Sequence, residues 1–242
     1  MTKYKITIAY DGSKYRGLQK LKNEKTIQGE LESVLEKLDL SPVKVVSSGR
    51  TDRGVHALNQ VCTFELKKDI DPYRLRYYID RSTSPYLFVK TCEYLQDENF
   101  HPRFSVKFKT YKYLINTGPY DPIRNDYVYN YNKKLNVTDM REAASCFLGT
   151  HDFRAFVVSP KVNCESTIFD VTIEENADTI EIHITGIAFY TYMVRNIVAS
   201  LILVGSGIIQ RDSIENMLAN RKKALEFAPA PPNGLYLEKI EY

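Results

Sequence analysis

An α+β fold in two units is what this 242-residue sequence predicts. Three observations lead there. Short stretches of period-2 apolar alternation are interspersed with stretches of helical period. The first hundred or so residues run strand, helix, strand, strand, helix, strand. The same theme recurs in the remainder, with no low-complexity tract or Gly/Ser linker between the halves, so two α+β units sharing a packed interface are expected, divided as 1–105 and 106–242.

In the first half, Tyr4, Ile6, Ile8 and Tyr10 alternate with Lys5, Thr7 and Ala9, the pattern of a half-buried strand. Asp11-Gly12 ends it as a turn signal. Thr26 can cap a helix in which Ile27, Leu31, Val34, Leu35 and Leu38 fall on one face, with Glu30, Glu32 and Glu36 largely off it. Strands are expected at 43–48 and 56–66. Asp71-Pro72 reads as an N-cap followed by proline at the first helical position, opening a helix through Leu75 and Ile79. Tyr86–Tyr94 follows as a strand. This is the order of a split β-α-β, or ferredoxin-like, unit.

The second half gives strands at 107–115 and 127–131, then a helix carrying Met140, Ala143, Ala144, Phe147 and Leu148 that Gly149 stops. His151-Asp152 is expected in a cap or loop. Phe169–Ile173 and Thr179–Ile184 form a hairpin about Asn176-Ala177-Asp178. An apolar helix at 190–204, a short helix at 212–220 and a strand at 235–241 complete the reading.

Composition excludes several classes. A 43% hydrophobic, 26% charged chain is globular rather than disordered. Cysteines 62, 92, 146 and 164 lack C-x-x-C spacing and the density of a disulfide scaffold, which fits a reducing cytosol. The amino terminus lacks a signal-peptide core, and the longest apolar run, Ile197–Val204, is far short of a membrane span. A cytoplasmic protein with no membrane association is expected. The net charge of +3 does not by itself announce nucleic acid.

Local charge is more informative. No acidic residue occurs from Asn99 to Tyr120, where Arg103, Lys107, Lys109 and Lys112 are interleaved with Phe104, Phe108, Tyr111 and Tyr113. Such a strand can offer cations to phosphates and rings to unstacked bases, or it can be an ordinary sheet with aromatics inside and lysines in water. Lys14, Arg16, Lys20, Lys22 and Lys25, opposed by Glu24 alone, form a second basic cluster, which is either a phosphate contact or a solvated loop.

The segment Ser48-Gly49-Arg50-Thr51-Asp52-Arg53-Gly54-Val55-His56 places a carboxylate between two arginines and two glycines. Cations nearby hold a carboxylate ionised, and an ionised carboxylate in a groove serves as nucleophile or general base; the alternative is a surface turn whose charges cancel. Arg195 is the only formally charged residue between Glu181 and Arg211, with His183 counted neutral. On so apolar a helix it must snorkel to water or meet an anion, and Asp52 is the natural candidate. The four histidines lack metal-ligand spacing, and no H-E-x-x-H, phosphate loop or G-x-S-x-G elbow occurs.

Taken together, the motifs resemble the TruA-type tRNA pseudouridine synthases. The likeness runs through Tyr10-Asp11-Gly12 with Tyr15 and Gly17, Thr26–Glu32, Gly49-Arg50-Thr51-Asp52 with Gly54–Ala57, and Phe100-His101-Pro102-Arg103-Phe104-Ser105. It continues through Tyr111-Lys112-Tyr113, Gly149 with His151-Asp152-Phe153, Met193–Val198 and Gly234–Leu237. The resemblance implies two ferredoxin-like halves with sheets joined across a central basic cleft, a homodimer binding tRNA, and neither cofactor nor metal. It implies isomerisation of uridine to pseudouridine, with uridines 38–40 of the anticodon arm as the usual targets. Asp52 matches the essential aspartate, attacking the ribose or abstracting a proton from it. Tyr111 matches the tyrosine that stacks on the base, a candidate for removing the C5 proton. Arg195 matches the basic partner of the aspartate, and Arg50 an arginine associated with holding the nucleotide out of its stack. Arg103, Lys107, Lys109, Lys14 and Arg16 are the expected phosphate contacts.

The sequence departs from the family where Leu18 replaces a frequent Trp, where Arg53 replaces a frequent Ala, and where Cys164–Ile168 lacks an arginine. These bear on which RNA is used. Two rival readings differ in class: a non-catalytic RNA-binding protein with the same fold, and a two-carboxylate glycosidase, which needs a second acid near Asp52.

Overall fold

A computed structural model describes residues 1–158, 160, 163–223 and 225–242. They fall into two units, one made of Met1–Lys107 with Tyr236–Tyr242 and the other of Phe108–Leu235. The fold class is α+β, as the alternating periods predict.

In the first unit, β1 (Thr2–Tyr10) lies between β4 (Leu87–Tyr94) and β3 (His56–Leu66), antiparallel to both, with Ile6 opposite Cys62 and Cys92. The short β2 (Val46–Ser47) pairs with the later part of β3, and β10 (Leu235–Glu241) runs parallel to its start, Tyr236 beside His56. The order β4-β1-β3-β2, with one helix in each crossover, is the ferredoxin-like arrangement read from the element order. The inward set Tyr4, Ile6, Ile8 and Tyr10 is buried. Helix α1 (Ile27–Asp39) starts where Thr26 accepts the Gly29 amide and stops at Leu40, which adopts φ 58°. Helix α2 (Pro72–Ser82) starts where Asp71 accepts the Arg74 amide, and it turns Leu75 and Ile79 inward.

Only Val46–Ser47 of the expected 43–48 strand enters the ladder. Val45 is buried, but its amide donates to Glu32 Oε1 at 3.1 Å and its carbonyl accepts from Gln28 Nε2 at 3.2 Å. Side chains of α1 thus take the backbone groups that a neighbouring strand would otherwise satisfy. Glu32 is drawn inside to do this, 5% exposed and 2.9 Å from Lys20 Nζ, although its position in the helical period suggests the outer face.

In the second unit the sheet runs β5 (Phe108–Asn116), β9 (Thr179–Gly186), β8 (Glu165–Asn176), β7 (Gly149–Asp152), with β6 (Tyr129–Asn130) parallel to β5 on its other side. Among the described residues three α-helices accompany it: α3 (Val137–Ala144), α4 (Met193–Gly205) and α5 (Arg211–Asn220). A Cβ on Gly205 would come within 2.7 Å of Met140, so glycine permits the close approach of α3 and α4. Helix α3 stops at Ala144 and passes through a 3-10 turn at Ser145–Phe147, short of the Gly149 stop that the sequence suggests; Gly149, at φ 93°, opens β7, whose last residue, Asp152, caps the 3-10 turn that follows. In β7 His151 pairs with Ser166, and Asp152 accepts the Arg154 amide. Helix α4 begins at Met193, later than its apolar run suggests, because Tyr192 adopts φ 63°. Among the described residues no helix is long and apolar enough to cross a membrane.

Candidate active site

Asp52 lies on the connection from β2 to β3, half-buried between exposed Arg50 and exposed Arg53. Both flanks of that connection are fixed by the first unit. Upstream, the buried Ser48 amide donates to Val61 O at 2.9 Å, and Ser48 Oγ and Gly49 O are joined through the Gln60 amide at 2.5 and 3.0 Å. Beside Asp52, the hydroxyls of Thr51 and Tyr10 meet at 2.7 Å and Thr51 O accepts the Leu18 amide at 3.1 Å. Downstream, the Val55 amide closes a turn on Asp52 O at 3.2 Å, with Gly54 at φ 82°.

Two glycines of the motifs explain themselves by proximity. A Cβ on Gly12 would fall 1.9 Å from Val55 O, and one on Gly17, itself at φ 94°, would fall 3.1 Å from Thr51 O and 3.4 Å from the Asp52 carbonyl carbon. The Gly12 amide donates to His56 Nδ1 at 3.1 Å, and Asp11 Oδ1 lies 3.4 Å from the same nitrogen. That ring is 2% exposed and stacks on Tyr236 at 4.7 Å. Tyr10, Gly12, Gly17, Thr51, His56 and Gln60 thus hold the segment that presents Asp52. Sequence reasoning names most of them within motifs but gives none this role; the usable signal is that Tyr10 and Gly12 sit at the end of β1, where a strand hands over to a loop.

The basic 14–25 loop is attached to the same segment through Gly17 and Leu18. Its cations are partly engaged: Arg16 Nε lies 3.2 Å from Glu24, Lys14 Nζ 6.0 Å from the Tyr86 ring, and Lys25 Nζ 4.9 Å from the Tyr15 ring. Burial pushes the Tyr15 phenol well above its ordinary value; its hydroxyl is shared with Ser84 at 2.7 Å. Leu18 is 3% exposed, so the residue that departs from the family's frequent tryptophan is a core residue. Arg103 and Lys107 are exposed, and Lys107 Nζ donates to Tyr242 O at 2.7 Å.

The second unit holds Lys109, Tyr111 and Arg195. Tyr111 is 9% exposed on β5, opposite Ile184, with its ring edge-on to Phe189 at 5.0 Å. Arg195, in the first turn of α4, is half-buried; its Nε donates to Ala230 O at 2.6 Å, its own carbonyl accepts the Ala230 amide at 3.1 Å, and its guanidinium lies 4.5 Å from the Tyr192 ring. The next residue, Pro231, accepts the Tyr113 hydroxyl at 2.7 Å. Residues 230–231 therefore link Arg195 to the face of β5 that carries Tyr111 and Tyr113. Burial pushes Tyr113 far up, Tyr129 adds to that, and Arg195 opposes it. Among the described residues no three His, Cys, Asp or Glu side chains are grouped so as to hold a metal ion.

Comparison with known proteins adds a family. A family model described as tRNA pseudouridine synthase matches residues 6–105 and 143–242. Asp52 and Arg195 lie inside the matched residues; Lys107, Lys109 and Tyr111 lie outside them. The chain is 36% identical over 246 residues to a protein of Bacillus cereus named tRNA pseudouridine synthase A 2, covering all of both chains. It is 38% identical over 240 residues to tRNA pseudouridine synthase A of Thermoanaerobacter and 39% identical over 246 residues to the protein of that name in Bacillus subtilis, each covering 98% of both chains.

Proposed function

We propose that this chain, which belongs to the tRNA pseudouridine synthase family, isomerises uridine to pseudouridine in tRNA, acting on the anticodon arm. The observation that carries the reading is the Asp52 segment: a half-buried carboxylate on a connection fixed at Ser48, Thr51 and Val55, inside the residues that match the family.

The reaction breaks the bond from C1′ to N1, turns the uracil, and joins C1′ to C5; the C5 proton is lost, N1 gains one, and nothing else changes. Ionised Asp52 opens it at the ribose, either by attacking C1′ as uracil leaves with the bonding pair, or by taking a ribose proton. Tyr111 stacks on the base and is the candidate to receive the C5 proton. Arg195 supplies a cation to the anionic centre of the reaction. Arg50 holds the target nucleotide out of its stack, a step needed because the reacting atoms are inaccessible in a helix. Lys14, Arg16, Arg103, Lys107 and Lys109 contact phosphates. The enzyme works without metal or cofactor, in the cytoplasm, as a homodimer.

Asp52→Asn tests this directly, because it keeps the shape and removes the charge. Pseudouridine formation in an unmodified tRNA transcript is expected to disappear while the variant still binds that transcript. Formation at the wild-type rate would remove Asp52 from the chemistry, and a wild-type protein that binds the transcript without forming any pseudouridine would leave only the rival reading of a fold that binds RNA. Mapping pseudouridines in total RNA with and without the protein locates the modified position, and sedimentation tests the dimer.

A further inference from the structure

The aromatic rings of the acid-free interval differ in exposure: Tyr113 is 1% and Tyr111 9% exposed, whereas Tyr120 is 59% exposed. Phe104 is the most exposed of them at 77%. It is not a loosely placed side chain. The turn from His101 to Ser105 is closed by the Phe104 and Ser105 amides donating to His101 O at 3.1 and 2.9 Å, by the His101 amide donating to Ser105 Oγ at 3.0 Å, and by the Arg103 amide donating to His101 Nδ1 at 3.1 Å. The Tyr242 hydroxyl fixes the same turn by donating to Pro102 O at 2.8 Å.

These bonds use only the backbone of residue 104, so the turn does not require phenylalanine there, and a side chain so exposed adds little to the core. The ring is nevertheless supported. The His101 imidazole lies 4.4 Å away at 31°, and the exposed Arg103 guanidinium lies 5.9 Å from its centre. A pre-oriented ring beside a cation, in a stretch without carboxylates, is what an unpaired nucleobase and its phosphate recognise together. A hydrophobic protein partner would gain from neighbouring apolar contacts, whereas the charged residues nearest to Phe104 in the sequence, Arg103 and Lys107, are both cations and both exposed.

We propose that Phe104 is a stacking platform for an unpaired base of the RNA substrate, with Arg103 holding the adjacent phosphate. This rests on the reading of the protein as a tRNA-modifying enzyme and adds a binding position to it.

The absence of tryptophan from the sequence makes the test clean. Phe104→Trp introduces a single indole that keeps an aromatic face, and Phe104→Leu keeps an apolar side chain without one. Titrated with an unmodified tRNA transcript, Phe104→Trp is expected to lose indole emission with the same midpoint as an independent binding measurement. Phe104→Leu is expected to bind roughly five- to a hundredfold more weakly while keeping the wild-type dependence on salt, since stacking releases no counterions. Tyr73→Trp, at an α2 position whose tyrosine is equally 77% exposed, is expected to keep its emission. Unchanged emission at position 104, equal quenching at position 73, or wild-type affinity of Phe104→Leu would each overturn the proposal. A wild-type protein that leaves the transcript's uridines unmodified would instead overturn the isomerase reading, whatever the emission does.

Discussion

The phenol of Tyr10 and the hydroxyl of Thr51 meet at 2.7 Å, and both side chains are buried. Tyr10 closes β1, a rigid central strand, and Thr51 immediately precedes Asp52, so the bond carries the order of the sheet to the carboxylate. Tyr10→Phe leaves the Thr51 hydroxyl short of a partner and is expected to cost about 1–3 kcal/mol, read from urea unfolding. Because a displaced reacting group loses rate steeply, kcat should fall by about tenfold or more with KM little altered. An unchanged kcat would mean that Asp52 is positioned by other bonds.

Gly12→Ala acts on the other flank of the same segment. The added methyl would lie 1.9 Å from Val55 O, a backbone atom that cannot rotate away. Relief requires moving the turn that the Val55 amide closes on Asp52 O. The expected loss is roughly 3 kcal/mol, at the upper end for overpacking. Gly207→Ala provides the contrast: it is strained by φ 73° but meets nothing within 4 Å, so its loss should be near 1 kcal/mol. Equal melting temperatures for the two variants would refute the argument from close approach.

Leu18→Ala separates packing from recognition in the 14–25 loop. At 3% exposure Leu18 is a core residue, and truncation should cost about 2–5 kcal/mol in urea unfolding. If this loop contributes to RNA choice, a buried residue 18 acts through packing, and direct contact falls to exposed residues such as Arg16. A Leu18→Ala variant as stable as wild type would show that the side chain faces outward in solution.

The elements that could be read from the sequence are those whose causes are local. Thr26 and Asp71 announce α1 and α2 because a cap bonds within its own turn, and Tyr4, Ile6, Ile8 and Tyr10 announce β1 because alternation is a property of one strand. What escaped depends on distant partners. Val45 leaves the ladder because Glu32 and Gln28 satisfy it, β7 exists because β8 is there to pair with Gly149–Asp152, and the C-terminal strand joins the first unit because β3 has an open flank at His56. The site divides in the same way. Asp52 and Arg195 stand out by charge in unusual surroundings, whereas the contacts of Gly12 with Val55 and of Arg195 with Ala230 join segments that no spacing rule connects.

Asp39 gives the fold an acid limit. Burial alone would raise its carboxyl, but the Ser41 hydroxyl at 2.6 Å and the Lys68 and Lys67 amides at 3.1 and 2.9 Å outweigh that and hold it below its ordinary value. A depressed carboxyl contributes stability that is complete above its unfolded value, about pH 4, and is lost as pH falls through the folded value. Asp39→Ala should therefore be about 2 kcal/mol less stable than wild type at pH 7, through loss of bonds to a charged acceptor. That difference should narrow at pH 3. A gap of constant size at both pH values would show that the ionised form is not what these donors hold.

Lys109 and Lys112 are both lysines of β5, on opposite faces of the strand, and Lys112 Nζ lies 3.6 Å from Glu181. A cation paired within the protein neutralises little phosphate charge, whereas one that meets a phosphate releases about one counterion. If Lys109 contacts RNA, Lys109→Ala should reduce the steepness of log Kd against log salt by roughly 0.7–0.9, and Lys112→Ala should leave it nearly unchanged. Equal slopes for wild type and Lys109→Ala would remove Lys109 from the phosphate contacts. A shallower slope for Lys112→Ala would mean that RNA displaces Glu181 from its lysine, which makes that ion pair part of the binding step rather than of the folded sheet alone.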